Sequence, residues 1–189
     1  QLDVYGETID ALYRAHKLGM PSERHSWAIQ RQMLDWLESH WREPDDGLWE
    51  VRGPRRNFVH SKVMAWVAAD RIVRSIEELG LDGPVDRYRK MRSDIHDEVC
   101  REGFDAERNT FTQYYGSRQL DAALLLIPQV GFLPPTDPRV VGTVEAVQRE
   151  LLHEGFVMRY IPDERAADGL PPGEGAFLPC SFWFVDSLE

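Results

Sequence analysis

Apolar residues along this chain recur mostly at spacings of three and four, the interval that aligns one face of an α-helix, in blocks separated by proline, glycine and acidic turns. Residues 4–18 form the first block, with Val4, Ile9, Leu12 and Tyr13 near helical spacing and Leu18-Gly19-Met20-Pro21 closing it. Ser22 is placed to cap a second helix, whose Trp27, Met33, Leu34, Trp36, Leu37 and Trp41 make a wide apolar face up to Pro44. Three tryptophans on one helix read as core. A third, long helix is marked by Val63, Met64, Trp66, Val67, Ile72, Val73, Ile76 and Leu79, with Gly80 as its expected left-handed cap. Asp82-Gly83-Pro84 then starts a fourth, which points Tyr88, Met91, Ile95 and Val99 inward and Asp94, Asp97 and Glu98 to solvent.

Residues 103–116 lose the helical interval, and Phe104-Asp105-Ala106, a turn near Arg108-Asn109, and Phe111-Thr112-Gln113-Tyr114-Tyr115 predict a short hairpin or ordered loop. Helix is expected again over 119–127, ending at Pro128. Asp137-Pro138 is a cap followed by a favoured first-turn proline, and Val140, Val141, Val144, Val147, Leu151 and Leu152 carry that helix to Gly155. Residues 156–161 read as extended, and a last helix starts near Phe177. About seven helices with almost no strand predict an all-α protein of successive antiparallel neighbours. That order suits a toroid of inner and outer helices, although no sequence repeat is visible and the helices are too few to close a ring.

Composition narrows the class. With 189 residues, 42% of them hydrophobic, the chain can bury one substantial core. A net charge of −10 and a pI near 5.1 argue against a nucleic-acid surface, and Arg52, Arg55 and Arg56 are too small a basic group to change that. Two cysteines, Cys100 and Cys180, make no disulfide framework, so a reduced, cytoplasmic setting is expected. The longest apolar stretch, residues 122–127, is far too short to span a bilayer, and no leader-like run opens the chain. The chain opens at Gln1 without methionine and stops at Glu189 within an aromatic and apolar run; it reads as a piece of a longer protein, truncated at both ends. An apolar face is therefore expected to lie exposed or to be covered by a partner chain.

Candidate chemistry concentrates between the second and third helices. Asp45-Asp46-Gly47 is a turn, Trp49 and Glu50 follow side by side, and Arg52 stands two positions on. A carboxyl group beside an indole on a loop fixed at both ends is a candidate for partial desolvation, which raises its pKa and holds it protonated as a general acid. Most loop glutamates are simply solvated, so composition alone does not decide for Glu50. No Gly-x-Ser-x-Gly elbow, phosphate-cradling glycine loop or paired His or Cys at metal-ligand spacing competes with it, and no cofactor or metal is expected.

The run Asp46-Gly47-Leu48-Trp49-Glu50-Val51-Arg52-Gly53, with Phe58-Val59-His60-Ser61-Lys62-Val63-Met64-Ala65-Trp66 and Asp70-Arg71 after it, resembles the acid-bearing segment of glycoside hydrolase family 15, the glucoamylase and trehalase family. The resemblance extends along nearly the whole chain and implies an (α/α)6 barrel, of which residues 1–189 would be a little over half, all within one catalytic domain. It also implies hydrolysis of an α-glucosidic bond with inversion, by a protonated acid and an ionised base about 6.5–9.5 Å apart. On that likeness Glu50 is the acid, and Trp49 and Arg52 contact the sugar. Arg159, in Met158-Arg159-Tyr160, resembles the arginine that holds the terminal glucose; pairing with Asp163 or Glu164 is its structural alternative. Gln1, Asp3 and Tyr5 resemble residues near the site mouth. Glu174, between Gly173 and Gly175, is the best second carboxylate in the chain, yet the family's base lies in a later Gly-Leu-x-x-Glu-type segment, so substrate binding is the role expected for Glu174. His60, Ser61 and Lys62 either orient the acid or cap the third helix. Trehalose is the first substrate expected, since the 174–177 and 60–62 runs look trehalase-like, and α-glucan ends come second. The partner is thus a carbohydrate, not nucleic acid or membrane, with a homo-oligomer left open. The rival readings are a non-catalytic helical scaffold that binds a partner protein and a phosphorylase-type carbohydrate enzyme.

Overall fold

A computed structural model describes residues 1–20, 24–50, 53–161 and 176–188. The expected helices are present among them: α1 (Asp3–Lys17), α2 (Arg24–His40), α3 (Val59–Leu79), α4 (Val85–Glu102), the short α5 (Leu126–Gln129), α6 (Pro138–Glu150) and α7 (Leu178–Asp186). The third of these is the axis of the molecule. Every residue of α3 from Val59 to Val73 is buried, because α1 and α4 pack along its sides and α2, α5 and a 3-10 turn (Ala122–Leu125) cover what remains. Close approach of α1 needs Gly6, where a Cβ would run into the backbone carbonyl of Met64. The helix ends at Gly80, whose φ of 70° is the left-handed cap the sequence predicts.

Two short hairpins interrupt the helices. β1 (Phe104–Asp105) pairs antiparallel with β2 (Thr110–Phe111), setting Phe104 opposite Phe111, as the loss of helical spacing there anticipates. β3 (Leu152–His153) pairs with β4 (Phe156–Val157) around Glu154 and Gly155, both at positive φ. This second hairpin shortens the helix expected to reach Gly155. α6 stops at Glu150, since two consecutive left-handed residues make a tight turn that returns the chain and carries it toward Arg159. The helix expected over 119–127 is also revised. Asp121 is extended and caps the 3-10 turn by accepting from Ala123 N–H at 2.8 Å, so regular structure starts only at Ala122.

Other expectations are corrected by packing. Trp36 is not core: it is 43% exposed and lies outside the α2 seam, stacked between Tyr5 and His40. His60, Ser61 and Lys62 do not precede or cap α3 but form its first turn. Phe58 holds an isolated bridge to Tyr114, and Val59 N–H donates to the Gln113 carbonyl, so a segment distant in sequence does the work of a cap. Lys62 is fully buried and donates from Nζ to the Trp41 and Glu43 carbonyls, both at 2.6 Å, tying the end of α2 to the start of α3. Asp70 and Arg71 form a buried ion cluster with Asp10, Arg74 and Arg92. Cys100 and Cys180 are both unpaired. Phe182 and Val185 lie exposed on α7, as does Leu188 just after it. No described helix is long and apolar enough to cross a membrane.

Candidate active site

The loop between α2 and α3 is built to present two side chains. Asp45 and Arg56 exchange backbone hydrogen bonds at its base, and the Asp45 carboxylate accepts from Leu2 N–H, which ties the loop to the start of α1. Gly47 makes the turn at φ 69°; a Cβ there would meet the Phe58 ring at 2.8 Å. Glu50 donates its N–H to the Gly47 carbonyl and sits at φ 48°, a left-handed conformation uncommon for glutamate. Its carboxylate accepts from Gln1 Nε2 at 3.1 Å. The neighbouring Trp49 donates from Nε1 to both oxygens of Asp121, at 3.0 and 3.1 Å.

Leu48, Trp49 and Glu50 form one side of an open cleft of about 450 Å³, within the size range of small-molecule sites. Glu7 of α1 and His60 of α3 line it next to the loop, and Arg159 borders it from the segment after β4. Arg159 lies with Cζ 5.5 Å from the Trp49 ring centroid, and its carbonyl accepts from Ala122 N–H at 2.7 Å. From α7, Trp183 approaches Trp49 at 6.3 Å, and Phe177, just before it, meets the same indole edge-on at 5.8 Å. The cleft thus joins an exposed carboxylate, a guanidinium and an aromatic wall.

Asp121 is the anchor beneath. It is buried, and besides Trp49 it accepts from Gln113 Nε2 at 3.2 Å and Ala123 N–H. Burial pushes its pKa up, while the hydrogen bonds from Trp49, Ala123 and Gln113 and the charge of Arg159 pull it down. Burial also lowers the pKa of His60 to about 4, so its ring is neutral at ordinary pH.

The structure therefore brings together Trp49, Glu50 and Arg159, and Gln1 reaches Glu50. Asp3 and Tyr5 do not line the cleft. Asp3 is buried at the start of α1, one turn below Glu7, and burial with the charges of Glu7 and Asp45 raises its pKa to about 6; Tyr5 faces Trp36 instead. The desolvation expected for Glu50 is not provided by this wall, since its side chain is exposed. Arg52 and Glu174 lie outside the described residues, as do Asp163 and Glu164. Sequence reading missed Glu7 as a lining group and did not single out Asp121 or Trp183 for the site. The aspartate before the small apolar run 122–125 was the available signal, a cap whose side chain also faces backward to the loop.

Comparison with known proteins widens this picture. A family model described as glycosyl hydrolases family 15 matches residues 1–188. Over 188 residues the chain is 41% identical to a trehalase of Mycobacterium tuberculosis and 35% identical to one of Thermoplasma volcanium. These matches take in 100% of this chain but 27% and 30% of the respective relatives. A glycosidase solved in complex with glucose superposes with a TM-score of 0.83 at 21% identity, over 100% of this chain and 48% of that one, and a wild-type glycosidase does the same. The chain spans less than a third of the length of these trehalases and about half of the solved glycosidases, and its helices are the corresponding part of an (α/α)6 toroid. With the match running from the first residue of α1's approach to the last described residue after α7, the chain belongs to glycosyl hydrolases family 15.

Proposed function

We propose that this chain supplies the acid-bearing side of a cleft that hydrolyses the α-glucosidic bond of trehalose and releases glucose with inversion. The observation that carries the reading is Glu50, set on a left-handed turn at the rim of the cleft beside an indole that Asp121 fixes from behind. A general acid must meet the departing oxygen from one defined direction, and a residue in a sparsely populated backbone conformation is held by its surroundings rather than by its own preference. Glu50 delivers the proton. Trp49 offers its face to the sugar ring, and Arg159, with a planar set of donors, holds hydroxyls of the terminal glucose. Arg52 adds a further hydroxyl contact in this reading, and Glu174 binds substrate.

Water activation falls to a second carboxylate, which we assign to chain beyond the segment shared with the relatives, ahead of Glu174. Desolvation of Glu50 then comes from the substrate and from the opposite wall rather than from α1, α3 and α7. Trehalose is preferred because the relatives named above are trehalases; α-glucan ends are the second substrate. In the complete protein, Glu50→Gln should fold normally and lose about 10²–10⁴-fold in turnover of trehalose, whereas Glu7→Gln, altering the other carboxylate that lines the cleft among the described residues, should lose far less. Glucose release at the wild-type rate from Glu50→Gln would sink the assignment.

A further inference from the structure

Among the polar side chains of the cleft, Trp49 is committed to Asp121 and Glu50 accepts from Gln1. His60 is different. It lines the cleft from the first turn of α3, is 6% exposed, and its Nδ1 is buried without a hydrogen-bond partner among the described residues. Its two successors have no share in the cleft: Ser61 is fully buried and Lys62 is spent on the end of α2. Buried polar atoms are almost always paired, so an unpaired ring nitrogen on a residue that lines an open cleft points to a ligand or an ordered water reached by a small turn of the ring. Because the ring is uncharged at ordinary pH, it offers one donor and one acceptor. Among the described residues no partner of Nδ1 fixes which nitrogen carries the proton. A sugar hydroxyl, itself donor and acceptor, matches either tautomer. A carboxylate or phosphate would not, since it accepts only and would meet Glu7 and Glu50 in the same cleft.

We infer that His60 is a specificity-determining residue that hydrogen-bonds one hydroxyl of the bound glucosyl unit. This deepens the trehalose-hydrolase reading above and rests on it. The pairing sets which hydroxyl must be present, because a sugar lacking it leaves the imidazole buried and unpaired again.

The test compares kcat/KM of the complete protein on trehalose and on its monodeoxy analogues, for wild type, His60→Ala and His60→Gln. In wild type, removing one particular hydroxyl should cost about tenfold more than removing it costs His60→Ala, whose response to the other positions is unchanged; a merely structural histidine would lower activity on all analogues alike. His60→Gln, which keeps a donor and an acceptor, should restore part of the discrimination. Should the variants fail to fold, nitrogen NMR of the His60 ring in the wild-type protein serves instead, with glucose as the probe. A shift of that ring's nitrogens on saturation supports the contact and no shift overturns it. Equal sensitivity of wild type and His60→Ala to every hydroxyl overturns it as well, while Glu50→Gln still reports on the hydrolase reading by itself. Absence of both turnover and glucose binding in wild type overturns both.

Discussion

Asp3 stands where the fold works against itself. It is 2% exposed, and its carboxylate accepts from Val4 N–H at 3.1 Å, its one hydrogen bond among the described residues besides a contribution from its own backbone. Burial first, then the charges of Glu7 and Asp45, raise its pKa from 3.8 to about 6. Between those two values the folded chain holds a proton that the unfolded chain has released, so the contribution of Asp3 to stability is complete below pH 3.8 and is lost as pH rises through 6. A rise of about two pH units corresponds to about 3 kcal/mol above pH 7, which is a large part of a typical domain's stability. Asp3→Asn keeps the shape and the acceptor for Val4 but removes the charge. Its new amide protons need partners, a cost of up to about 1–2 kcal/mol in a buried place. The variant should therefore be more stable than wild type at pH 8 by about 1–3 kcal/mol, and by nothing or less at pH 4. Urea unfolding of both proteins at pH 4, 5, 6, 7 and 8 reads the difference directly, as midpoint times slope. A difference that does not change with pH, or a variant less stable at pH 8 than at pH 4 relative to wild type, would refute the reasoning.

Two further outcomes follow from buried groups. Burial lowers the pKa of Lys62 from 10.5 to about 8, against the pull of Asp45, Glu98 and Glu43; its share of stability is present above 10.5 and lost as pH falls through 8, so wild type should gain about 3 kcal/mol over Lys62→Met between pH 7.5 and 10.5, and a flat difference in urea unfolding would contradict this. Asp121→Ala strips the acceptor from Trp49, Gln113 and Ala123; it should cost about 2–4 kcal/mol in thermal unfolding and at least about tenfold in trehalose turnover of the complete protein, while wild-type values for both would remove Asp121 from the site.

Much of the helical frame is readable from spacing because each helix has one buried stripe and clear punctuation. Tyr88, Met91, Ile95 and Val99 are all buried, and Asp137 caps α6 as its sequence indicates. What spacing does not carry is the width of the surface that a stripe meets. Trp36 belongs to the apolar face of α2 by its position, but it lies 43% exposed, and Tyr5 and His40 stack on it at the surface instead. The start of α3 was hidden for a related reason: its cap comes from Gln113 and Tyr114, more than fifty positions away. The site shows the same division. Trp49, Glu50 and Arg159 were legible as residue types in a familiar order, whereas the Asp121 link spans 72 positions and exists only once the 3-10 turn and the loop have met.

The burial of α3 on every side from Val59 to Val73 bears on how such a chain can change over generations. A surface helix has a face on which substitutions accumulate unnoticed; this one has none over its first four turns, and each side chain there, from Ala65 to Ile72, is enclosed by a neighbouring element. Drift is thus left to the outer faces of α2, α4 and α6, and a new residue inside α3 survives only when a neighbour changes with it. Descendants of a common ancestor would then diverge around this segment faster than within it, and the stretch next to the loop that carries Glu50 would be the last part of their kinship to fade.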